Sequence, residues 1–313
     1  MIESALSARI ESLERYGSVL VIDLRPADGA TFPAFAAGSH IDITAGPELI
    51  RQYSLLNDPR ETHRYVIAVA LEANGRGGSQ YVHEHFQAGD TVHISAPRCH
   101  FHLDESASHS VLIAGGIGIT PIWCMAQRLM AIGASFELHY GARSRAEAVL
   151  IDEIETTLAT YGARFEAVYA PLPLIEIFDN SPLNSHFYAC GPAPMLDVYV
   201  EAGALESPDH VHLERFSSDI EAATAGGYTV ELARSGFSIE IEAGQTILDA
   251  VKAKGISISY SCAEGICGAC ETTVLEGIPD HRDSVLTDTE KAANTSMMVC
   301  CSGSCSPKLV LDI

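Results

Sequence analysis

Three cysteines near the C-terminal end of the chain have a spacing that suits an iron–sulfur cluster. Cys262, Cys267 and Cys270 form a C-x4-C-x2-C pattern, which is the plant-type ligand spacing of a 2Fe–2S centre. Three thiolates so close in sequence can surround one centre only if the loop is tight. Gly265 and Gly268 permit the backbone dihedral angles that a tight loop requires. The pattern therefore predicts a 2Fe–2S cluster in this loop.

The fourth ligand must come from a more distant part of the chain. Cys300, Cys301 and Cys305 are the candidates. Zinc is a weaker alternative, because four-cysteine zinc sites usually contain paired C-x2-C knuckles and only one such pair is present. Disulfides suit a secreted protein, whereas the N-terminal residues MIESALSARIESLERY lack the apolar core of a secretory signal. The cysteines favour a cluster in a reducing compartment, the cytoplasm.

Residues near position 50 have side chains that suit a flavin nucleotide. In Arg51-Gln-Tyr53-Ser54 the arginine can neutralise a phosphate, the tyrosine can pack on a planar ring and the serine can hydrogen-bond a ring nitrogen. A second anion site is expected in residues 74–79, NGRGGS. Its backbone N–H groups can approach a phosphate where a helix begins near Ser79. These residues leave the choice between FMN and FAD open.

Two glycine-containing turns suit a pyridine nucleotide. Residues 114–121, AGGIGITP, join an apolar stretch to a helical pattern, and their glycines allow close approach to a pyrophosphate at the helix N-terminus. The run departs from the G-x-G-x-x-G fingerprint, because Pro121 stands where the third glycine is expected. A partner turn, Cys190-Gly191-Pro192, follows another apolar strand. Both turns are expected at the carboxyl edge of a parallel sheet, where ligands bind.

Residues 141–145, GARSR, bear on the choice of nucleotide. The acidic residue that binds the ribose in the fingerprint is absent after the second strand of this region, and Arg143 and Arg145 stand there instead. Arginine at this place can hold the 2′-phosphate of NADPH. On these residues alone, NADPH is favoured.

Composition excludes several classes of function. Nineteen basic and 41 acidic residues give the 313-residue chain a formal net charge of −22, which disfavours nucleic acid and anionic membranes as partners. Hydrophobic residues make up 47% of the chain, enough for sizeable cores. The most apolar stretch, residues 111–126, is too short and glycine-rich for a transmembrane helix. We expect no membrane span, and a monomer is the default oligomeric state.

Three kinds of folded region must position this chemistry. From about residue 10 to residue 103, short alternating runs separated by turn residues are typical of a small antiparallel barrel. From residue 110 to residue 202, apolar strands alternate with helical patterns, as in a parallel α/β structure. Residues 217–227, SSDIEAATAGG, have the composition of a linker. A hairpin and a short helix then precede the cysteine loop.

The three regions together resemble phthalate-dioxygenase-reductase-type and vanillate-demethylase-reductase-type proteins of the ferredoxin-reductase superfamily. The resemblance rests on the R-x-Y-S run, the two glycine turns, the cysteine loop and the later run Gly277-Ile-Pro-Asp-His-Arg-Asp283. It implies a multidomain α+β chain with an antiparallel flavin-binding β-barrel (1–105), a parallel α/β nicotinamide-binding domain (106–216), a linker (217–227) and a C-terminal β-grasp ferredoxin domain (228–313). It also implies FMN as the flavin and NADH as the donor, with NADPH possible.

The resemblance selects among the distal cysteines. In this family a Met-x-x-Cys segment supplies the last thiolate, and Met297-Met-Val-Cys300 matches it. Cys301 is then expected to be a small buried residue on the opposite face, and Cys305 a surface thiol. Cys99 stands where the family usually has asparagine after Pro-Arg, and its role stays open.

The resemblance also assigns roles around the reacting rings. Ser54, Thr120 and Cys190 are the candidate catalytic residues, placed beside the flavin and the nicotinamide. Phe216 is expected to shield the flavin face. The other candidate binding residues are Arg51, Tyr53, Gly77, Gly78 and Ser79 for the flavin, and Gly115, Gly116, Gly118, Pro121, Arg143, Ser144, Gly191 and Pro192 for the nucleotide.

The order of the regions predicts the function. Nicotinamide delivers two electrons together, an iron–sulfur cluster accepts one at a time, and a flavin between them can do both. The chain is expected to pass electrons from NAD(P)H through the flavin to the cluster and on to a separate terminal oxygenase, a Rieske-type aromatic hydroxylase or O-demethylase. A cytochrome P450 is the alternative acceptor. From another class, the alternative is an iron–sulfur carrier or redox sensor without catalytic flavin.

Overall fold

The structure is a computed structural model that describes residues 5–46, 49–72, 75, 77–217 and 220–313. Packing divides the chain into two units, residues 2–215 and residues 216–313. The larger unit contains a β-barrel followed by a parallel sheet, and the smaller contains the cysteine loop. The finer domain limits after residues 105 and 227 stay predictions.

The first half of the larger unit is an antiparallel barrel. Its elements are β1 (Leu6–Tyr16), β2 (Val19–Pro26), β3 (Ser39–Thr44), β4 (Ile50–Ser54), β5 (Tyr65–Ala70), α1 (Gly78–His85), β6 (Thr91–Ile94) and β7 (Arg98–Cys99). The strands run in the order β4-β3-β6-β1-β2-β5, with β7 beside β3. A bridge between Leu55 and Ile67 joins the two end strands. Closure removes exposed sheet edges.

Strand β1 is absent from the sequence prediction, which begins the barrel near residue 10. Only Ala8 and Ile10 of its eleven residues are fully buried, and charged residues occupy much of the remainder, so its apolar pattern is weak. Pairing with both β2 and β6 holds this strand in place. Its position is therefore decided by partners distant in sequence.

The second half of the larger unit is a five-stranded parallel sheet. Its elements are β8 (Ser110–Gly115), α2 (Ile119–Ile132), β9 (Phe136–Gly141), α3 (Ile151–Tyr161), β10 (Arg164–Val168), α4 (Leu174–Asn180), β11 (His186–Cys190), α5 (Ala193–Ala202) and β12 (Val211–Glu214). The strand order is β10-β9-β8-β11-β12, and all neighbours are parallel. Neighbouring β8 and β11 end in the two predicted turns, so the turns lie side by side.

A shared core joins the barrel to this sheet. Val66 of β5 belongs to the same buried cluster as Trp123 of α2. At the same junction Gln127 Nε2 donates to the carbonyl oxygen of Leu56 at 2.7 Å. Because dense apolar packing tolerates little displacement, this core sets the position of the barrel relative to the sheet.

The C-terminal unit is a mixed sheet with a helix packed on it. Its elements are β13 (Tyr228–Leu232), β14 (Phe237–Ile241), α6 (Ile247–Ala253), β15 (Glu271–Glu276), β16 (Pro279–Asp280), α7 (Asp288–Ala293), β17 (Ser296–Met298), β18 (Gly303–Ser304) and β19 (Lys308–Leu311). The main sheet has the order β14-β13-β19-β15-β17, and β16 pairs with β18. Thr246 and Asp249 form a capping box at the start of α6, worth about 1 kcal/mol to such a helix. The cysteine loop connects α6 to β15.

No helix in the described part of the chain combines the length and the apolar character that a bilayer-spanning helix requires.

Candidate functional site

The cysteine loop is wound tightly by left-handed residues. Ala263 (φ 55°), Gly265 (φ 71°) and Gly268 (φ 70°) all have positive φ, which glycine adopts readily and alanine only under constraint. The turns bring backbone N–H groups to the sulfurs, and the N–H of Glu264 lies 3.3 Å from Cys262 Sγ. All three predicted ligands in the loop are buried. The loop therefore gathers thiols and N–H donors in one enclosed place.

The fourth predicted ligand lies against the other three. The thiol of Cys300 is within hydrogen-bonding reach of Cys262 and Cys270, and Cys262 also contacts Cys267. Contact with Cys262 and burial raise the pKa of Cys267, and contact with Cys300 and burial raise that of Cys270. Crowded buried thiols ionise only when positive charge is supplied, as bound iron supplies it. The four residues fit the predicted cluster.

The four thiols, all within the described residues, are not joined by disulfides, since every cysteine is free. Cys262 contacts both Cys267 and Cys300, and Cys300 also contacts Cys270. Four thiols gathered in this way provide the ligand set of a plant-type 2Fe–2S centre, and the C-x4-C-x2-C spacing differs from the paired C-x2-C knuckles of zinc sites.

One expectation about this region is wrong. Cys301 is buried, as predicted, but it does not lie on the face opposite the cluster loop. A Cβ at Gly265 would lie 2.5 Å from Cys301 Sγ, and the Cys301 thiol hydrogen-bonds to Cys300. The reason is local: residues 299–301 form a turn after β17, so the side-to-side alternation of a strand does not apply. Cys305 is exposed, as expected.

In the barrel, the side chain of Arg51 on β4 lies against the first turn of α1. A Cβ at Gly78 would be 2.5 Å from Arg51 Nε and 2.6 Å from its Cγ, so a larger residue there would displace the arginine. The N-cap residue of this helix is Gly77 (φ 78°), which has no side chain to cap the first N–H groups. A guanidinium beside an uncapped helix N-terminus suits a phosphate. The fold thus joins two motifs that are separated in sequence.

The rest of the predicted anion site contributes less. The Ser79 hydroxyl accepts a hydrogen bond from the backbone N–H of Glu72 at 3.1 Å, so this serine ties the segment before α1 to the helix. Asn74 and Arg76 lie outside the described residues. Arg51, Gly77 and Gly78 therefore carry the structural case for a phosphate site.

The face of the barrel that carries Ser54 has unsatisfied polar atoms. His40 pairs with Ser54 across β3 and β4, so His40, Gln52 and Ser54 share one face of the sheet. Among the described residues, the buried atoms His40 Nε2, Gln52 Nε2 and Glu214 Oε2 have no hydrogen-bond partner. Leaving such atoms unpaired is costly. A ligand with several polar ring atoms would satisfy them, and a flavin has such a ring.

Tyr53 extends toward the opposite side of β4. It packs partly against the barrel core. Burial raises the pKa of its phenol to about 12, so the ring stays neutral at physiological pH. Because Tyr53 and Ser54 point to opposite sides of β4, the packing of Tyr53 against a flavin ring stays a prediction.

The two nucleotide turns touch through their backbones. A Cβ at Gly118 would lie 2.1 Å from the carbonyl oxygen of Cys190, and one at Gly191 would lie 3.1 Å from the Cα of Gly115. Only glycine allows this approach. At Gly116 (φ 54°) a Cβ would meet no atom within 4 Å, so this residue borders open space. The turns form one edge with room for a ligand.

The helices after these turns begin without side-chain caps. Thr120 and Pro121 lie buried in the first turn of α2, where Thr120 Oγ1 donates to the carbonyl oxygen of Ile117 at 3.1 Å. Pro192 precedes α5. Neither N-cap residue, Gly118 or Pro192, has a side chain that caps the first N–H groups of its helix. Two uncapped N-termini at one sheet edge suit a pyrophosphate.

Glu214 is a candidate functional residue that the sequence analysis missed. It ends β12, pairs with Cys190 of β11 and hydrogen-bonds to Ser54. Burial raises its pKa to about 8, against a smaller lowering by the Ser54 hydrogen bond. The pKa of the Cys190 thiol is raised mainly by burial and to a lesser extent by the Glu214 carboxylate, so the thiol stays neutral. The sequence does show an acid at the end of an apolar run, which could have marked Glu214 as a candidate. Because β12 was not predicted, however, the sequence did not place this acid at the ligand-binding edge.

The remaining predicted residues lie apart from this cluster. Arg143 is exposed and Ser144 half-buried just after β9, whose last residue, Gly141, pairs with Gly115. They therefore follow a strand end beside the glycine turn. Phe216 is 37% exposed and belongs to the C-terminal unit, and its role over the flavin stays a prediction.

Known proteins match both units. The chain matches the 2Fe-2S iron-sulfur cluster binding domain over residues 230–304 and the oxidoreductase NAD-binding domain over residues 112–174. It is 49% identical to phenoxybenzoate dioxygenase subunit beta of Ectopseudomonas oleovorans, over 98% of this chain and 97% of that protein. The solved structure of phthalate dioxygenase reductase matches with a TM-score of 0.75 and 36% identity, over 99% and 98% of the two chains. The chain belongs to the phthalate dioxygenase reductase family.

Membership in the phthalate dioxygenase reductase family confirms the predicted fold class, an antiparallel barrel followed by a parallel nucleotide domain and a ferredoxin domain. The chain is an oxidoreductase whose cofactors are a pyridine nucleotide, FMN and a 2Fe–2S cluster. An intact type IV self-sufficient cytochrome P450 monooxygenase also matches, with a TM-score of 0.88 and 38% identity over 99% of this chain. The chain spans 41% of that protein's length.

Proposed function

We propose that the chain is the NADH-dependent reductase component of a Rieske-type oxygenase system, an aromatic ring hydroxylase or an O-demethylase. The bound flavin would supply the change from two-electron to one-electron transfer. The protein's own contribution is to hold the donor, the flavin and the cluster in place, because no side chain is needed as an acid or base. A cytoplasmic location and a monomeric state belong to the same proposal.

The observation that carries the acceptor assignment is the match to a dioxygenase subunit. Identity reaches 49% over 98% of the chain, which includes the cysteine loop, the part from which electrons would leave. A cytochrome P450 is the second candidate, because the reductase portion of a self-sufficient P450 has the same fold at 38% identity. The higher identity favours the oxygenase.

On the flavin side, we assign Arg51 and the first turn of α1 to the phosphate. Their support is the contact between the Arg51 side chain and Gly78. Tyr53 would pack against the ring, and Ser54 would face its reacting edge. Ser54 is oriented by Glu214, so the hydroxyl has one fixed partner before any ligand binds.

On the nucleotide side, the glycine edge would take the pyrophosphate and Cys190 would lie beside the nicotinamide. The neutral thiol of Cys190 suits this place, because a thiolate would bring a charge next to a ring whose charge changes during the reaction. Thr120 would contact the same ring region, and Phe216 would shield the flavin face. In the ferredoxin domain the proposed ligands are Cys262, Cys267, Cys270 and Cys300.

Anaerobic titration of the purified protein with NADH tests the reductase role. We expect the flavin and iron–sulfur absorbance bands to bleach together, and NADPH to act much more slowly. Reduced protein is then mixed in a stopped-flow instrument with an oxidised Rieske oxygenase component or with a ferric P450. Faster oxidation by the Rieske protein supports the proposed acceptor.

Two results would contradict the proposal in different ways. Faster oxidation by the P450 would transfer the assignment to the second candidate. A protein that binds no flavin would leave an iron–sulfur carrier or sensor. Exposed Cys305 offers a control, since Cys305→Ser should leave both bleaching reactions unchanged.

A further inference from the structure

The segment after β9 lies where a nucleotide's ribose is expected. Gly141, which ends β9, pairs with Gly115 of the glycine turn. In sheets of this kind the position after the second strand contacts the 2′ position of the adenosine ribose, with an acid for NADH and an arginine nearby for NADPH. The chain has Arg143, Ser144 and Arg145 there. By residue type alone this segment should accept the 2′-phosphate of NADPH.

The guanidinium of Arg145, however, is already occupied by acidic side chains. Glu155 accepts two hydrogen bonds from it, Nη1–Oε1 at 2.8 Å and Nη2–Oε2 at 2.6 Å. Asp152 Oδ1 pairs with the same Nη2, and the Tyr169 side chain also hydrogen-bonds to the arginine. These contacts raise the pKa of Arg145, and Glu155 contributes most. The two-point geometry that a phosphate would use is therefore taken up by Glu155.

The start of α3 places both acids against the arginine. Leu150, with φ 55°, precedes the helix. Asp152 and Glu155 are three residues apart, so they lie on the same face of α3. Asp152 in the first turn also stabilises the helix by interaction with its dipole. The acids are therefore held in position by the helix and need no ligand to order them.

The surroundings of Arg145 are acidic as well. A cavity of about 570 Å³ is lined by Arg145, Asp152 and Glu153 and, from the barrel, by Glu14 and Tyr16. A phosphate that entered here would meet three carboxylates for one arginine. Like charges at short range repel, and a 2′-phosphate adds close to two negative charges at neutral pH. The local charge therefore opposes NADPH.

We propose that Asp152 and Glu155 determine nucleotide specificity by holding Arg145 away from the 2′-phosphate of NADPH. The inference rests on the proposed function, in which a pyridine nucleotide binds at this edge. It would give the chain the NADH preference of the proposed function, although its arginines by residue type point to NADPH. Because exposed ion pairs contribute little to stability, neutralising the two acids should release Arg145 without unfolding α3.

The test compares three variants of the full-length protein with its cofactors bound. The first is Asp152→Asn with Glu155→Gln, which removes both partners of Arg145 and keeps their shape. The second adds Arg145→Ala to this pair. The third, Glu153→Gln, removes an acid from the same turn that does not pair with Arg145. Calorimetric titration gives the first ratio, the affinity for adenosine 2′,5′-bisphosphate divided by the affinity for 5′-AMP. The second ratio is kcat/KM for NADPH over kcat/KM for NADH, measured with ferricyanide as acceptor.

We expect the first variant to raise both ratios about tenfold, a factor that corresponds to about 1.4 kcal/mol. Addition of Arg145→Ala should return them to the wild-type values. Glu153→Gln removes a nearby negative charge but no partner of Arg145, so it should raise them by less than about twofold. The proposal is overturned if the first variant leaves the affinity ratio unchanged, if Glu153→Gln raises it equally, or if the increase survives removal of Arg145. Loss of NADH oxidation by the wild type would instead count against the proposed function, because the affinity ratio requires no turnover.

Discussion

The cluster loop and the nucleotide edge build their sites in different ways. In the cluster loop, three of the four proposed ligands are side chains of one short segment, and Cys300 comes from elsewhere. At the nucleotide edge, the backbones of separate turns approach until a Cβ at Gly118 would lie 2.1 Å from the Cys190 carbonyl oxygen. The cluster loop therefore depends on which side chains are present. The nucleotide edge depends on glycines, which have no side chain.

This difference determines how each site should fail. Removal of one thiol takes away a ligand and leaves the fold of the other unit intact. Addition of one methyl group at the nucleotide edge removes no functional group, yet it pushes two strand ends apart. Substitutions of each kind therefore separate side-chain chemistry from backbone geometry.

The largest effect is expected for Cys267→Ala in the cluster loop. Loss of one of four thiolates should abolish the cluster, so iron content and electron delivery to a one-electron protein acceptor should fall to background. NADH should still bleach the flavin, because that site lies in the other unit. Iron analysis and visible absorbance measure the first effect, and anaerobic titration measures the second. Cys305→Ala is the matched control, and full iron retention by Cys267→Ala would refute the ligand assignment.

The second largest effect, on the rate of flavin reduction, is expected for Gly118→Ala at the nucleotide edge. The added Cβ would overlap the Cys190 carbonyl oxygen, and a displacement of about 1 Å can cost about 100-fold in rate. Flavin reduction by NADH, followed by stopped-flow absorbance, should slow by about that factor while iron content stays unchanged. Gly133→Ala is the control at the other end of α2. Its φ of 70° makes alanine unfavourable, by about 1 kcal/mol, but no atom lies within 4 Å of its Cβ position. Equal rates in the two variants would argue against the backbone contact.

The smallest effect, on the pH dependence of stability, is expected for Glu214→Gln. This substitution tests a side chain that lies at the nucleotide edge. The pKa of Glu214 is raised from its ordinary value of 4.5 to about 8, so between these values the native state holds a proton that the unfolded state has lost. Stability should therefore fall as the pH rises from 4.5 to 8. Glutamine cannot ionise, so the variant should lose this dependence.

Melting temperatures of the two proteins between pH 4 and pH 9 measure this effect. Relative to the wild type, Glu214→Gln should gain a few degrees at pH 8.5 compared with pH 4.5. Exposed Glu201 of α5 provides a control, and Glu201→Gln should show no such trend. A pH-independent difference between Glu214→Gln and the wild type would show that Glu214 ionises normally.

The features that could be predicted from the sequence differ from the others in the same way, local chemistry against distant contacts. The three regions and the cofactor motifs were predictable because local periodicity and spacing encode them. Strands β1, β7, β12, β16, β17 and β18 and helices α4 and α7 were not predicted, since they are short or weakly patterned and depend on distant partners. The placement of Cys301 was wrong because a turn interrupts the strand alternation there, and Glu214 was missed together with β12.

By itself, the sequence determined which residues could do chemistry: a loop of three closely spaced thiols, an Arg-x-Tyr-Ser run and two glycine turns. These depend on side-chain type and short spacing, which are local properties. Only the tertiary structure decided that Arg51 lies on Gly78, that Glu214 contacts Ser54 and pairs with Cys190, and that Arg145 is held by Asp152 and Glu155. The first two join strands and helices far apart in the chain. The third depends on the position of α3, which begins after a single left-handed residue, Leu150.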